Sequence, residues 1–362
     1  MKILILTNHD LGLYKFRKEL LETLLKDNDV FVSMPRGIFT DQIIEMGCKY
    51  IDTSFERKGK NPFKDLKLLS FYKKTIREIR PDVVLTYTIK PNVYGGLACQ
   101  HLKVPYIANV TGLGSAIENG GLLQLVSLNL YKLGLKKADM VFFQNNANRD
   151  FMIEKNAVKD NYDMLPGSGV NLSQYDVKGF PDDGTIDFTY VGRLMKEKGF
   201  ELYTKAAEYI REKYPETRFH VCGPDEDNYH DLVEELSEKG ILVYEGYVED
   251  MKGVYSRVQC TIHPTYYPEG MSNVLLESLA CARAIITTDR PGCKEIVDDG
   301  VNGFVVKQND LDDLIEKIEK YLSLSNEERK QLGLNGRRKV EKEFDRNIVI
   351  DKYLKAIEKV TK

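Results

Sequence analysis

Two glutamates, Glu269 and Glu277, stand eight positions apart within PEGMSNVLLESLACARAIITT, and two cations, Arg193 and Lys198, punctuate the earlier segment YVGRLMKEKGF. The turn Gly270–Met271–Ser272–Asn273 leads from the first glutamate into an apolar run with helical spacing. A helix start offers N–H groups without intrahelical partners and the positive end of a dipole, which suits a phosphate group. Arg and Lys side chains can neutralise a diphosphate without a metal ion, and a carboxylate further along the helix can accept ribose hydroxyls. With Ser272 as cap, Glu277 lies five residues on, roughly 7 Å at about 1.5 Å per residue. That offset is comparable to the span from phosphate to ribose in one nucleotide. Taken singly, each residue also fits a plainer role: a loop carboxylate, a solvated helix residue, two surface cations. Together they point to a sugar nucleotide. Gly192 and Gly199 flank the cations and permit either close approach of a ligand or a tight turn.

These residues need a scaffold that presents loops from neighbouring strands. The opening reads as a strand at Lys2–Leu6, a loop from Thr7 to Leu13 and an amphipathic helix over Tyr14–Lys26, with further strands at 30–33, 82–86, 105–109 and 140–143. Apolar strands alternating with helices imply βαβ units and a parallel sheet covered on both faces. The Gly-, Pro- and Asp-rich stretch Leu165–Thr185 reads as a linker, after which the alternation restarts. Its second series runs strand 186–191, helix 200–213, strand 217–222, helix 228–238, strands 241–244 and 259–262, helix 273–281, strand 284–287. The expected architecture is α/β, with two doubly wound domains over 1–168 and 172–344, and a terminal helix, Glu343–Val360, crossing back to the first. Ligands of such sheets bind beyond the carboxyl ends of the strands, so the site is expected in the cleft between domains.

The totals agree with a two-domain protein without a membrane span. The chain has 362 residues, 42% of them apolar and 30% charged, with net charge −3. That balance gives no sign of a nucleic-acid partner. Residues 1–170 hold 24 Lys and Arg against 18 Asp and Glu, a balance of +6, whereas the remainder holds 28 against 37, or −9. The basic half is either scattered solvated charge or a surface facing a lipid phosphate. The six dispersed cysteines form no CxxC pair and read as reduced, buried residues of a cytosolic protein. The apolar run of MKILILTNHD is too short for a signal peptide, so a cytoplasmic protein, soluble or peripheral at the inner membrane face, is expected. The helix GGLLQLVSLNLYKLGLKK, at 120–137, is apolar around much of its circumference and ends in lysines; with FERKGKNPFKDLK, at 55–67, it suits either a membrane interface or a packed core or dimer contact.

The chain resembles the retaining glycosyltransferases of family 4, which have the GT-B fold of two facing Rossmann-like domains. The resemblance spans nearly the whole chain and rests on GRLMKEKG at 192–199, the E-x7-E of Glu269 and Glu277, PGCKEIVDDGVNGFVV at 291–306 and GSGVN at 167–171. It implies that Arg193 and Lys198 contact the diphosphate of a UDP-sugar, that Glu277 takes the ribose, and that Glu269 sits beside the donor sugar at the reaction centre. It further implies that the N–H groups of Gly270, Met271, Ser272 and Asn273 reach phosphate or sugar, and that Gly12 approaches the donor phosphate. Family members often carry two adjacent glycines where this chain has Gly12 alone, and many carry a histidine where Thr111–Gly112 stands here. TYTIKPNVYGG and VTGLG look like segments of enzymes that build bacterial surface polysaccharides or glycans on undecaprenyl diphosphate. Lys90, Asn92, Thr111 and Gly112 are then candidates for binding a lipid-linked saccharide acceptor, though Lys90–Pro91 equally suits a turn into the next helix.

The implied activity is transfer of a hexosyl unit from a UDP-sugar to that acceptor with retention, without a metal or other cofactor. A nucleotide-sugar epimerase or a non-catalytic sugar-nucleotide binder would use a similar site. A nicotinamide oxidoreductase would need a GxGxxG after the first strand, and none is present. Asp225–Glu226–Asp227 forms a DxD, which is either a metal site or a solvated loop. His9 is a lone loop histidine.

Overall fold

The computed structural model describes residues 1–53, 62–118 and 120–362. It divides into two compact units, Met1–Gly169 with Arg346–Lys362, and Val170–Asp345. The FERKGKN part of the basic segment falls outside the described residues.

Unit 1 holds a seven-stranded parallel sheet made of β1 (Lys2–Leu6), β2 (Asp29–Met34), β3 (Lys49–Asp52), β4 (Val83–Tyr87), β5 (Tyr106–Val110), β6 (Met140–Phe143) and β7 (Tyr162–Met164). Their order is β3-β2-β1-β4-β5-β6-β7. Every residue of β4 and β5 is buried, as a sheet covered on both faces demands. Ile3, Ile5, Val83, Leu85 and Ile107 face one core, which contains Leu13, Leu20 and Leu24 of α1 (Asp10–Leu25) and Ile43 of α2 (Thr40–Glu45). Leu4, Leu6, Val84, Ala108 and Val110 face the other core. That core includes residues of α3 (Pro62–Ile79), α4 (Gly96–Leu102), α5 (Ser115–Glu118), α6 (Gly121–Leu135) and α7 (Asn146–Glu154).

Unit 2 repeats the plan with six parallel strands, β8 (Ile186–Val191), β9 (Thr217–Cys222), β10 (Leu242–Gly246), β11 (Cys260–His263), β12 (Ala284–Thr288) and β13 (Gly303–Val306), ordered β10-β9-β8-β11-β12-β13. Its helices are α8 (Phe200–Lys213), α9 (His230–Glu238), α10 (Met251–Arg257), α11 (Asn273–Ala280), α12 (Leu311–Leu322) and α13 (Asn326–Glu343). In each unit the strand order reverses once, between β1 and β4 and between β8 and β11, and such reversals open a crevice beyond the strand ends. The two sheets confirm the α/β, GT-B-like architecture expected of the sequence.

The expected terminal helix is present and starts three residues later, at Arg346 rather than Glu343. α13 ends at Glu343, the Val170 N–H donates to the Phe344 carbonyl, and α14 (Arg346–Thr361) begins anew and packs Val349, Ile350, Tyr353 and Ile357 into the unit 1 core. The first helix starts at Asp10 rather than Tyr14, because extended His9 caps it by accepting the Gly12 N–H at 2.9 Å. All six cysteines are free and buried, and burial pushes their thiols up, Cys48 to about 11 and Cys222 and Cys281 to about 12. Among the described residues no helix is long and apolar enough to cross a membrane.

Candidate active site

The charged residues of unit 2 leave the sheet at its reversal. The loop after β8 carries Gly192, Arg193 and a 3₁₀ turn, Lys196–Lys198, while the loop after neighbouring β11 leads through Glu269 into α11. Backbone contacts hold the loops together. The Tyr266 N–H donates to the Glu197 carbonyl at 2.9 Å, and the Thr265 hydroxyl donates to the same carbonyl at 3.3 Å. Gly199, with φ of 78°, lies so close to this strand end that a Cβ there would sit 2.2 Å from the Pro264 carbonyl oxygen. Its smallness is therefore spent on loop packing. Gly192 is not crowded in this way, since a Cβ there would meet nothing nearer than the Tyr190 hydroxyl at 3.5 Å; it is Gly223 whose Cβ would lie 1.9 Å from the Gly192 oxygen.

The result is a close ion pair in which Lys198 Nζ donates to Glu269 Oε1, with side chains only 13% and 17% exposed. The Tyr267 ring lies under both cations, 4.9 Å from Lys198 Nζ and 5.6 Å from Arg193 Cζ. Arg193 Nη1 donates to Glu226 Oε2 at 2.6 Å. Burial alone would raise the Glu269 carboxyl, but Lys198 and, further away, Arg193 hold it below its ordinary value, so it is an anion. Beneath the pair, at the end of β11, His263 is 1% exposed and neither ring nitrogen has a hydrogen-bond partner. Burial, aided by Lys198 and opposed by Glu269, pushes its pKa down to about 3. The imidazole is neutral.

α11 starts beside this pair. Its first closing bond runs from the Leu276 N–H to the Ser272 carbonyl, so the N–H groups of Asn273, Val274 and Leu275 have no acceptor within the helix. Ser272 occupies the cap position, but its side chain makes no capping bond and its N–H donates to the Gly292 carbonyl at 2.9 Å. The Ser272 amide is thus removed from the set expected to reach phosphate, and the expected cap is absent. Met271 is buried in the core, Asn273 Oδ1 is buried without a hydrogen-bond partner, and half-buried Glu277 accepts from the Tyr255 hydroxyl at 3.4 Å. The structure therefore groups Gly192, Arg193, Lys198, Glu269, Gly270 and Asn273 around the β8 and β11 ends, with Glu277 on the helix that follows.

The acidic triplet is engaged by its own loop and by the loop after β8. Asp225 Oδ1 accepts from the Tyr229 N–H at 3.0 Å and Asp227 Oδ2 from the Lys196 N–H at 3.2 Å, while Glu226 holds Arg193. The unit 1 candidates are likewise committed to the fold. Gly12 lies in the first turn of α1 with its N–H given to His9 Nδ1, which corrects its expected place in a phosphate-facing loop. Asn92 is 0% exposed; it accepts from the Thr86 hydroxyl at 2.7 Å and donates to the Asn109 carbonyl at 2.9 Å, so it is a core hydrogen-bond bridge rather than an acceptor contact. Lys90 Nζ pairs with Asp65 at 2.9 Å. Thr111 and Gly112 follow β5, half-buried. Sequence reasoning missed Tyr267, Glu226 as partner of Arg193, and His263. The first was signalled only by a Tyr pair just ahead of Glu269, and the last was hidden in the short strand CTIH.

Two family models match in sequence. Residues 174–339 match the glycosyl transferases group 1, and residues 2–145 match the glycosyl transferase 4-like family. The chain is 27% identical, over 100% of both chains, to the Campylobacter jejuni N,N'-diacetylbacillosaminyl-diphospho-undecaprenol alpha-1,3-N-acetylgalactosaminyltransferase. It is 24% identical to an Escherichia coli UDP-Gal:alpha-D-GlcNAc-diphosphoundecaprenol alpha-1,3-galactosyltransferase, over 70% of each chain. In fold it is similar to Anabaena HepE, solved with UDP and glucose, at a TM-score of 0.81 and 17% identity, covering 99% of this chain and 100% of that one. With a parallel α/β unit behind each family match and the charged loops at one strand-order reversal, the chain belongs to the family 4-like glycosyltransferases of GT-B fold and is a transferase.

Proposed function

We propose that the protein moves a hexosyl unit (a HexNAc, hexose or hexuronic acid) from a UDP-sugar to a saccharide carried on undecaprenyl diphosphate, with retention at the anomeric carbon and without a metal. The observation that carries the donor half is the Lys198–Glu269 pair at the start of α11, flanked by Arg193. The acceptor half is supported by the names of the Campylobacter and Escherichia relatives, both of which act on diphospho-undecaprenol sugars.

In this reading the diphosphate docks against the open N–H groups of α11. Lys198 and Arg193, now engaged by Glu269 and Glu226, turn to it and neutralise the charge that builds as UDP departs, which fixed donors do well in a water-poor site. Glu269, held anionic, accepts sugar hydroxyls and fixes the pyranose; Glu277 takes the ribose. The leaving phosphate oxygen receives the proton of the acceptor hydroxyl as the new bond forms on the same face, through an oxocarbenium-like transition state.

The test is a panel of UDP-sugars incubated with a defined undecaprenyl-diphosphate sugar in the presence of chelator. Mass spectrometry and anomeric NMR then read the product. Glycosylated acceptor with retained configuration supports the proposal. An isomerised UDP-sugar without acceptor product, binding without turnover, or activity restored only by a divalent ion would each refute it.

A further inference from the structure

A third loop of unit 2 meets the turn that carries Glu269. It follows β12, the neighbour of β11 in the sheet, and contains the segment PGCKEIV, 291–297. The Asp289 N–H ties its start to the Val306 carbonyl of β13 at 3.0 Å. Tight turns follow: the N–H groups of Cys293 and Lys294 both donate to the Arg290 carbonyl at 2.9 Å, and that of Ile296 to the Cys293 carbonyl at 3.0 Å. Cys293 and Ile296 are fully buried, in the same core as Leu275 and Leu276 of α11. Loop and helix are therefore fixed against one close-packed body of side chains.

Gly292 makes the contact. Its carbonyl accepts the Ser272 N–H at 2.9 Å, and a Cβ there would lie 2.7 Å from the Gly270 carbonyl oxygen and 3.0 Å from Glu269 Cβ. Only a residue without a side chain lets the loop lie flush against Glu269 and Gly270, and a φ of 90° asks for glycine a second time. The Gly292 N–H is bound in turn, donating to Glu295 Oε2 at 2.7 Å. A backbone N–H given to a carboxylate is a charge-assisted bond, stronger than a bond between neutral groups. Glu295 thus fixes Gly292, and Gly292 fixes the turn from Glu269 to Ser272.

We propose that Gly292 and Glu295 are positioning residues of the transfer reaction, which hold the Glu269 carboxylate against the donor sugar through the backbone of the loop after β12. This rests on the role given to Glu269 under the proposed function. A group displaced by about 1 Å can cost on the order of 10²-fold in rate. The two cations come from the loop after β8, and α11 is anchored by its own leucines, so the nucleotide itself should not feel the loop. The test measures steady-state transfer and, by calorimetry, UDP affinity. Glu295→Ala should lower kcat about tenfold and Gly292→Ala about 10²-fold. UDP affinity should stay within about twofold of wild type, which also shows that the variants fold. Glu295→Gln keeps an acceptor oxygen for the Gly292 N–H and should hold kcat within about twofold of wild type. In a Glu269→Gln background, Glu295→Ala should cost less than about twofold more, because both changes remove one arrangement.

An unchanged kcat in Glu295→Ala, or a Glu295→Gln no better than Glu295→Ala, would overturn the proposal. So would a loss of UDP affinity in step with kcat, or full additivity with Glu269→Gln, since a carboxylate that merely shapes its own loop gives those results. A near-wild-type rate for Glu269→Gln would remove the role of Glu269 and this proposal together. An impaired Glu269→Gln beside an unimpaired or additive Glu295→Ala would remove the proposal alone.

Discussion

The two units share a strand order and a reversal point, yet they use that point differently. In unit 2 the loops after β8 and β11 deliver Arg193, Lys198 and Glu269 into one half-buried cluster. In unit 1 the polar groups near β1 and β4 are spent on the fold: His9 caps α1, Asn92 bridges Thr86 to Asn109, and Lys90 is bound to Asp65. A Rossmann-like reversal supplies an opening, and the charged side chains decide whether chemistry follows.

That contrast can be broken at its strongest point by Glu269→Gln. Shape is kept and charge lost, and the transfer rate should fall about 10²–10³-fold, the scale for removing one preorganised electrostatic contact. A near-wild-type rate in a steady-state assay would move the reaction centre out of unit 2. Next in size, Arg193→Ala and Lys198→Ala should each weaken UDP by about 1–3 kcal/mol in calorimetry, whereas Lys90→Ala should leave UDP affinity alone. Equal losses at all three would erase the distinction between units. Asn92→Ala should cost about 1–3 kcal/mol of stability in urea melts, because two buried partners lose their bonds, with UDP affinity unchanged.

His263 sharpens the comparison through pH. Its folded pKa, about 3, lies below the ordinary 6.5, so the folded state refuses a proton that the unfolded chain takes. Stability from this group is therefore complete above about pH 6.5 and is lost as pH falls toward 3, by up to about 1.4 kcal/mol per unit. Urea melts at pH 7 and pH 5 should show this slope in the wild type and lose it in His263→Leu; identical slopes would contradict a buried neutral imidazole. The smallest expected effect is that of excess chelator on the transfer rate, which should be none.

Much of this was legible in the chain because periodicity reports burial directly. Strands 186–191 and 217–222 and helix 200–213 fall where the apolar pattern puts them, and the turn after Glu269 opens a helix at Asn273 as the spacing implies. What was hidden depends on packing between segments distant in sequence. Tyr267 matters because its ring lies under two cations from another loop, and Gly12 changed meaning because His9 capped the helix early. Gly199 suited either a ligand's approach or a tight turn, and it serves the turn, packed against Pro264. β3 and β7, only four and three residues long, carry too little alternation to be seen.

The placement of α14 has a consequence for how the chain matures on the ribosome. The Tyr353 ring lies tilted against Phe142, centroids 5.0 Å apart, and its hydroxyl accepts from Asn109 Nδ2 at 2.6 Å, while Arg346 pairs with Glu19 at 2.6 Å. Unit 1 thus lacks a wall of its core until α14, which lies beyond the whole of unit 2 in the chain, has been made, whereas unit 2 is continuous in sequence. Unit 1 therefore completes its core only after the chain of unit 2 has been made, and until then the face of its sheet that α14 covers stays open.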